Sequence, residues 1–479
     1  MNTVPQMILS LTCLLAGFGA SNACADDRAG EQRFRDLYKE LVETNTTLSS
    51  GSCTLAAERM AARLKTAGFA DDELYLFTAP GHPKEGGLVA IYPGRDPKLK
   101  GILLLAHLDV VEAKREDWTR DPFTLVEENG NFYARGSVDD KAMGASGVDM
   151  LIRFREEHYR PLRTVKLALT CGEETTGAFN GAEWLAKNRR DLIDAAFALN
   201  EGPGGEMDAA GHRVALDVEV GQKVTQDFRL IVTNSGGHSS VPVSENAIYR
   251  LADALKKVQG YTFAPQFTNA SRAYFEGMAK IKMARGETAA AEELRSMLRD
   301  RDDTQAIARV SARDPLWNAI LRTTCVATLL EAGHATNALP QRAQANINCR
   351  LFPGTSGEVV RAKLEEVVAD SQVKVVALGA FGPSSPPPLA PLTHEIMGPV
   401  EHLAEQFWPG VPVLPVLLVG ASDTQFLSAV GIPTYGINPL FLGPDDGYVH
   451  GLNEYISVRV LLESRDFLYR LVRIYADRK

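Results

Sequence analysis

Short, wholly apolar runs alternate with amphipathic stretches along most of the chain. Gly101-Ile-Leu-Leu-Leu-Ala106, Thr164-Val-Lys-Leu-Ala-Leu-Thr170, Ala195-Ala-Phe-Ala-Leu199 and Ile432-Pro-Thr-Tyr-Gly-Ile437 are such runs. Runs this short, bounded by turn residues, read as strands buried on both faces. Helical patterns lie between them, as in Ala142–Glu157 and Ala182–Arg190, and residues 31–70 read as helical up to a stop at Gly68. This alternation predicts an α/β fold of the doubly wound kind.

The middle of the chain follows another rule. Lys223–Thr233 and Gln344–Leu351 alternate polar and apolar residues, as half-exposed strands do. Ser244 can cap a helix that carries Ile248, Leu251, Leu255 and Val258 on one face, and Glu358–Val368 is helical after the turn at Pro353-Gly354. Residues 261–325 add a charged, mostly helical insertion, and Pro383 with Pro386-Pro387-Pro388 marks a stiff linker. The predicted layout is a larger domain in two parts, 31–222 and 384–479, with an α/β module inserted at 223–383.

Composition narrows the function. The 479 residues are 45% hydrophobic, ample for a buried core, and the formal net charge of −9 shows no basic nucleic-acid footprint. Ile8 to Ala20 is apolar and uncharged, and Ala23-Cys24-Ala25 followed by Asp26-Asp27 fits a cleavage site. Residues 1–25 therefore read as a signal peptide, and the chain as exported to the periplasm or medium, with an uncleaved anchor or a lipoprotein at Cys24 as the alternatives. No other stretch is long and apolar enough to span a bilayer. Beyond the signal, Cys53, Cys171, Cys325 and Cys349 form no CxxC pair, which argues against a cysteine zinc site. Cys325 and Cys349 can pair in an oxidising compartment, with buried free thiols as the alternative.

Acidic and histidine residues fall at the ends of the apolar runs. His107-Leu-Asp109 follows the first, Glu173-Glu174 the second and Glu201 the third; Asp139-Asp140-Lys141 precedes a helix, and His450 lies in a late glycine loop. In open α/β sheets ligands gather beyond the carboxyl ends of the strands, so these segments can converge. Two imidazoles and three carboxylates serve two divalent ions if one carboxylate bridges, and the mixture suits zinc, cobalt or manganese. Of the adjacent glutamates, one can bind metal while the other moves protons.

The ordered motifs Leu105-Ala-His-Leu-Asp-Val-Val111, Ala134-Arg-Gly-Ser-Val-Asp-Asp-Lys141, Cys171-Gly-Glu-Glu-Thr175, Asn200-Glu-Gly202, Gly236-Gly-His-Ser-Ser240 and His450 resemble the M20 family of metallopeptidases. The resemblance runs from about residue 31 to the end. It implies a zinc-exopeptidase-type mixed sheet with an inserted α/β lid that often dimerises. It implies two divalent cations, zinc first, with His107 and Glu201 at one, Glu174 and His450 at the other, and Asp139 as the bridge. Glu173 would be the general base, and Asp109 would hydrogen-bond the His107 ring. His238 would stabilise the oxyanion, and a cis bond is expected at Asp139-Asp140. Asn337 and Arg350 would grip the substrate, and the loop Gly420-Ala-Ser-Asp-Thr424 would line the pocket, with Ser422 available to a terminal carboxylate. Departures from the family pattern fall at Ala142-Met143-Gly144, at Gly420-Ala421 and at Asn348. The expected activity is that of a carboxypeptidase or dipeptidase acting on short peptides; the alternative is an N-acyl amino acid amidohydrolase.

Overall fold

Strand Ile102–His107 is buried from end to end, and its two faces enter different cores. Ile102, Leu104 and Ala106 pack with Leu37, Leu41, Leu151 and Val472, while Leu103 and Leu105 pack with Leu185, Ile193 and Leu427. Each such leucine contributes roughly 1.5–3 kcal/mol by leaving water. A charge at Leu105 would break the sheet at its centre. The computed structural model describes residues 23–175, 179–379, 387–443 and 449–479. Most of the expected signal segment, part of the proline linker, and Gly447 and Tyr448 lie outside the described residues.

The large sheet is mixed. Ile102–His107 runs parallel to Val165–Thr170 and to Phe197–Asn200, and Phe197–Asn200 runs parallel to Thr434–Gly436. Leu74–Ala79 and His82–Tyr92 close one side antiparallel, and Arg213–Gln222 continues the other with Val413–Leu418 parallel to it. Ala23–Glu43, Cys53–Thr66, Lys141–Glu156 and Val458–Ala476 cover one face; Gly181–Asn188 and Thr424–Ala429 cover the opposite one.

A second, four-stranded antiparallel sheet orders Thr324–Ala332, Arg342–Leu351, Val224–Thr233 and Val373–Leu378. Helices Ala247–Gly260 and Gly357–Val368 bury Leu251, Val258, Val360 and Leu364 against one of its faces. Asp227 pairs in register with Asn348 and accepts hydrogen bonds from the Asn346 and Asn348 amides, so an acid on the adjacent strand stands beside the position where Asn348 departs from the family pattern. Among the described residues no helix is long and apolar enough to cross a membrane.

One placement differs from the sequence reading. That reading puts residues 261–325 within the inserted module. The helices Asn269–Ala284, Thr288–Arg299, Thr304–Arg313 and Pro315–Leu321 instead bury Phe275, Leu294 and Ile320 with Ala215, Leu414 and Val416 of the large sheet. An amphipathic pattern says that a face is buried, not against what.

Candidate active site

The carboxyl ends of the parallel strands and two further loops bring five titratable side chains together. His107 Nε2 lies 3.0 Å from Asp139 Oδ1 and 3.7 Å from Glu201 Oε2. His450 Nε2 lies 2.8 Å from Glu174 Oε1 and 3.2 Å from Asp139 Oδ2. The two oxygens of Asp139 thus face different histidines. Two ligand sets share Asp139: His107, Asp139 and Glu201, and Asp139, Glu174 and His450. Ligand atoms about 2.0–2.2 Å from a tetrahedral ion stand about 3.3–3.6 Å apart. The observed spacings bracket that range, so the donor set fits two divalent cations. The peptide bond Asp139-Asp140 is cis, and His450 sits at φ 61°, a left-handed conformation unusual for histidine.

Electrostatics point the same way. Burial pulls the His107 imidazole toward the neutral form, but Glu201 and Asp139 outweigh it and hold its pKa well above the ordinary value. Bonds to Asp139 and Glu174 push His450 up to about 10. Burial pushes Asp139 upward, yet its two histidine partners hold it well below the usual carboxylate range. Burial raises Glu201 against the pull of His107. Glu173, which with Glu174 and His107 forms a third close group, is pushed up to about 9. Its burial is the main cause; His107 opposes it, and Glu201, Asp423 and Glu174 add to it. Carboxylates crowded out of water in this way are costly unless cations join them.

Asp109 differs from its expected role. The His107 ring nitrogen Nδ1 meets the Asp109 backbone carbonyl at 3.0 Å, while the nearer carboxylate oxygen is 3.7 Å away. The carboxylate instead accepts from the Glu174 backbone N–H at 3.0 Å. Two residues past His107, the chain turns its carbonyl toward the ring and its side chain toward the neighbouring loop.

Ser422 also departs from expectation. It is buried, and its hydroxyl donates to Gln222 Oε1 at 2.8 Å and accepts from the Asn200 amide at 3.4 Å. It underpins the strand end that presents Glu201, so it is not available to a substrate carboxylate in this structure. Gly420 is half-buried, with only Leu418 near the position of an added Cβ. The neighbouring Asp423, passed over in sequence, is buried, accepts from Asn180 at 2.6 Å and is pushed up to about 7 by that burial, with the Asn180 bond opposing.

The lid residues make their contacts within the inserted module. Gly237-His238 pairs with Ala338-Leu339 in a short ribbon, and the Ser239 N–H donates to the Asn337 carbonyl. His238 is exposed, and its Nδ1 bonds Ser240. Arg350 is half-buried and donates to Thr225 Oγ1 at 2.6 Å. Two sites of covalent order were not foreseen together: Cys325–Cys349 is a disulfide, as one of the two alternatives had it, and Cys53–Cys171 is a second. The second bridge ties the start of helix Cys53–Thr66 to the segment that carries Glu173 and Glu174. Residues 118 apart give no pattern by which to foresee that pairing.

The profile of peptidase family M20/M25/M40 matches residues 103–474. The chain is 30% identical to the N-fatty-acyl-amino acid synthase/hydrolase PM20D1 of Mus musculus, over 79% of this chain and 75% of that protein. It is 28% identical to a probable carboxypeptidase S-like 2 of Dictyostelium discoideum, over 81% and 74%. A solved M20 family metallo-carboxypeptidase, Sso-CP2 from Sulfolobus solfataricus, superposes with a TM-score of 0.69 at 18% identity, covering 92% of this chain and 99% of that one.

Proposed function

The chain belongs to peptidase family M20/M25/M40 and is a hydrolase of that family, and from this premise we propose that it cleaves the amide bond between an acyl group and an amino acid with a free carboxylate. The observation that carries the reading is Asp139, whose two oxygens face His107 and His450 within a cluster of carboxylates. His107 and Glu201 would hold one divalent cation, Glu174 and His450 the other, and Asp139 both, with zinc favoured by the nitrogen and oxygen donor set. Held by these residues, two such cations would supply polarisation of the scissile carbonyl and a more acidic bound water.

The residues of the chain do the rest. Glu173, beside both ligand sets, takes a proton from the attacking water as its oxygen bonds the carbonyl carbon. It returns that proton to the leaving nitrogen as the C–N bond breaks. Burial pushes Glu173 up to about 9, and positive charge held by the two ligand sets would favour its ionised form. His238 on the lid ribbon donates to the developing oxyanion once the lid carries it in. Arg350 receives the substrate carboxylate, together with Asn337. Supporting this, basic side chains cluster there: the pKa of buried Lys223 is lowered to about 7 by burial first and then by Arg350 and Arg322.

The acyl side separates the two activities within this reading. The likeness to an N-fatty-acyl-amino acid hydrolase favours N-acyl amino acids, and that to a carboxypeptidase favours short peptides. A panel of N-acyl amino acids, dipeptides and their carboxyl-blocked amides, run on chelated and zinc-restored protein, decides. Turnover unaffected by chelation would sink the two-cation reading. Equal turnover of the amides would remove the carboxylate requirement.

We infer further that the protein is exported and dimerises through the lid. Two disulfides accord with an oxidising compartment. Strand Thr324–Ala332 forms an edge of the inserted sheet and exposes Val326, Leu329 and Leu330. An apolar edge of this kind is suited to pairing with a second copy.

A further inference from the structure

Glu454 and Arg135 are buried, and their ion pair closes at 2.7 Å. The Glu454 carboxylate also accepts from three successive parts of one loop: the backbone N–H of Gly136 at 3.0 Å, of Val138 at 2.8 Å and of Asp139 at 3.3 Å. Every one of these partners is a donor, and their bonds oppose the burial that raises the Glu454 pKa. The loop that ends in Asp139 is therefore wrapped around a side chain from elsewhere. Arg135 extends the link in the other direction. Its second nitrogen donates to the Gly451 carbonyl at 2.8 Å, one residue past His450, and its guanidinium lies over the Trp118 ring. The backbone adds two ties: Ala134 N–H to Glu454 carbonyl, and the strand Tyr455–Ser457 paired with Asn131–Tyr133.

Glu454 stands four residues after His450, so one buried pair grips two of the three segments that supply the second ligand set, those of Asp139 and His450. We propose that Glu454, acting through Arg135, is a positioning residue that sets the spacing of Asp139 and His450 and thereby the affinity of the second cation position. The inference rests on the two-cation reading above. The first position owes His107 and Glu201 to strand ends inside the large sheet, and only Asp139 passes through the Glu454 grip. Loosening the grip therefore weakens the second position more than the first.

The test titrates zinc alone into the metal-free full chain. Two variants are used, Glu454→Gln and Arg135→Gln, and melting temperature is followed in parallel. Wild type takes up two equivalents. In Glu454→Gln the first equivalent binds as in wild type and the second weakens roughly 10- to 100-fold, the usual cost of losing a group that orients ligands. Arg135→Gln leaves the three backbone bonds to Glu454 in place and shows a smaller selective loss. A folded Glu454→Gln chain with an unchanged second equivalent overturns the proposal, and so does equal weakening of both equivalents, the mark of a purely structural pair. If Glu454→Gln does not fold, Arg135→Gln decides by the same criteria. If wild type itself takes fewer than two equivalents, the two-cation reading fails and this inference falls with it.

Discussion

The Asp109 carboxylate accepts a 3.0 Å hydrogen bond from the backbone N–H of Glu174, joining the strand end that bears His107 to the loop that bears Glu173 and Glu174. The backbone carbonyl of Asp109, not its side chain, holds the His107 ring. Asn at position 109 can still accept from Glu174, whereas Ala cannot. We expect Asp109→Ala to lower zinc affinity roughly 10- to 100-fold and Asp109→Asn to do much less. If Asn is as damaging as Ala, it is the carboxylate charge near His107 that matters, and the hydrogen-bond account is wrong.

Glu173 is assigned proton transfer and no cation, although its neighbour Glu174 is assigned one. Glu173→Gln should therefore retain both zinc equivalents and the wild-type melting temperature while turnover falls by roughly 10²–10⁴-fold. Zinc content by atomic absorption and kcat measured on the same preparation test this together. Loss of one zinc equivalent would move Glu173 from proton carrier to ligand.

The strand Ile102–His107 and its parallel neighbours were legible because consecutive apolar residues with no polar face leave few structures other than a doubly covered strand. His107, Glu174 and Glu201 were legible because they stand at or just past the ends of those strands, and Asp139 and His450 by their place in the ordered motifs. Packing partners were not: nothing in the amphipathic pattern of Asn269–Leu321 says that Phe275 meets Leu414 rather than the inserted sheet. Within the loop at Gly420 the sequence favoured Ser422 for the substrate. Burial decides otherwise: Ser422 and its neighbour Asp423 are both buried, and a hydroxyl in a glycine loop carries no mark of whether it faces the core or the pocket. Glu454 escaped notice for a related reason: its partners are backbone N–H groups of a loop more than 300 residues earlier, as the separations of 315 to 318 show.

The bridge Cys53–Cys171 closes 118 residues, against 24 for Cys325–Cys349. On loop entropy alone, removing the first should cost about 1.4 kcal/mol more than removing the second, within a usual total of about 2–5 kcal/mol. It also frees the segment carrying Glu173. Cys53→Ala/Cys171→Ala should thus lower both melting temperature and kcat more than Cys325→Ala/Cys349→Ala. Equal losses from the two double variants would mean that the first bridge has no special hold on the catalytic loop.

Val326 and Leu329 are 59% and 70% exposed on the edge strand Thr324–Ala332. Placing charges there should block pairing with a second copy without disturbing the buried face under Ala247–Gly260. Light scattering after size exclusion should give a dimer for wild type and a monomer for Val326→Asp/Leu329→Asp, with zinc content unchanged. A wild-type monomer at micromolar concentration would remove the edge-pairing reading.

Asp217 offers a test of stability against pH away from the ligand cluster. It sits on strand Arg213–Gln222, its Oδ1 is buried without a hydrogen-bond partner, and burial followed by Glu206 raises its pKa to about 7. An unfolded aspartate titrates near ~3.9. Between those values the folded chain holds a proton that the unfolded chain has lost, so stability falls as pH rises through this window. Below ~4 both states are protonated and the group is silent; above about 7 its cost is complete, at most about 4 kcal/mol for a shift of this size. Asp217→Asn removes that titration. Melting temperatures of wild type and variant should agree near pH 4 and diverge through pH 7, with the variant roughly 2–5 °C higher at pH 8. A difference that is constant across the range, or that grows toward acid, would show that Asp217 is ionised in the folded protein throughout.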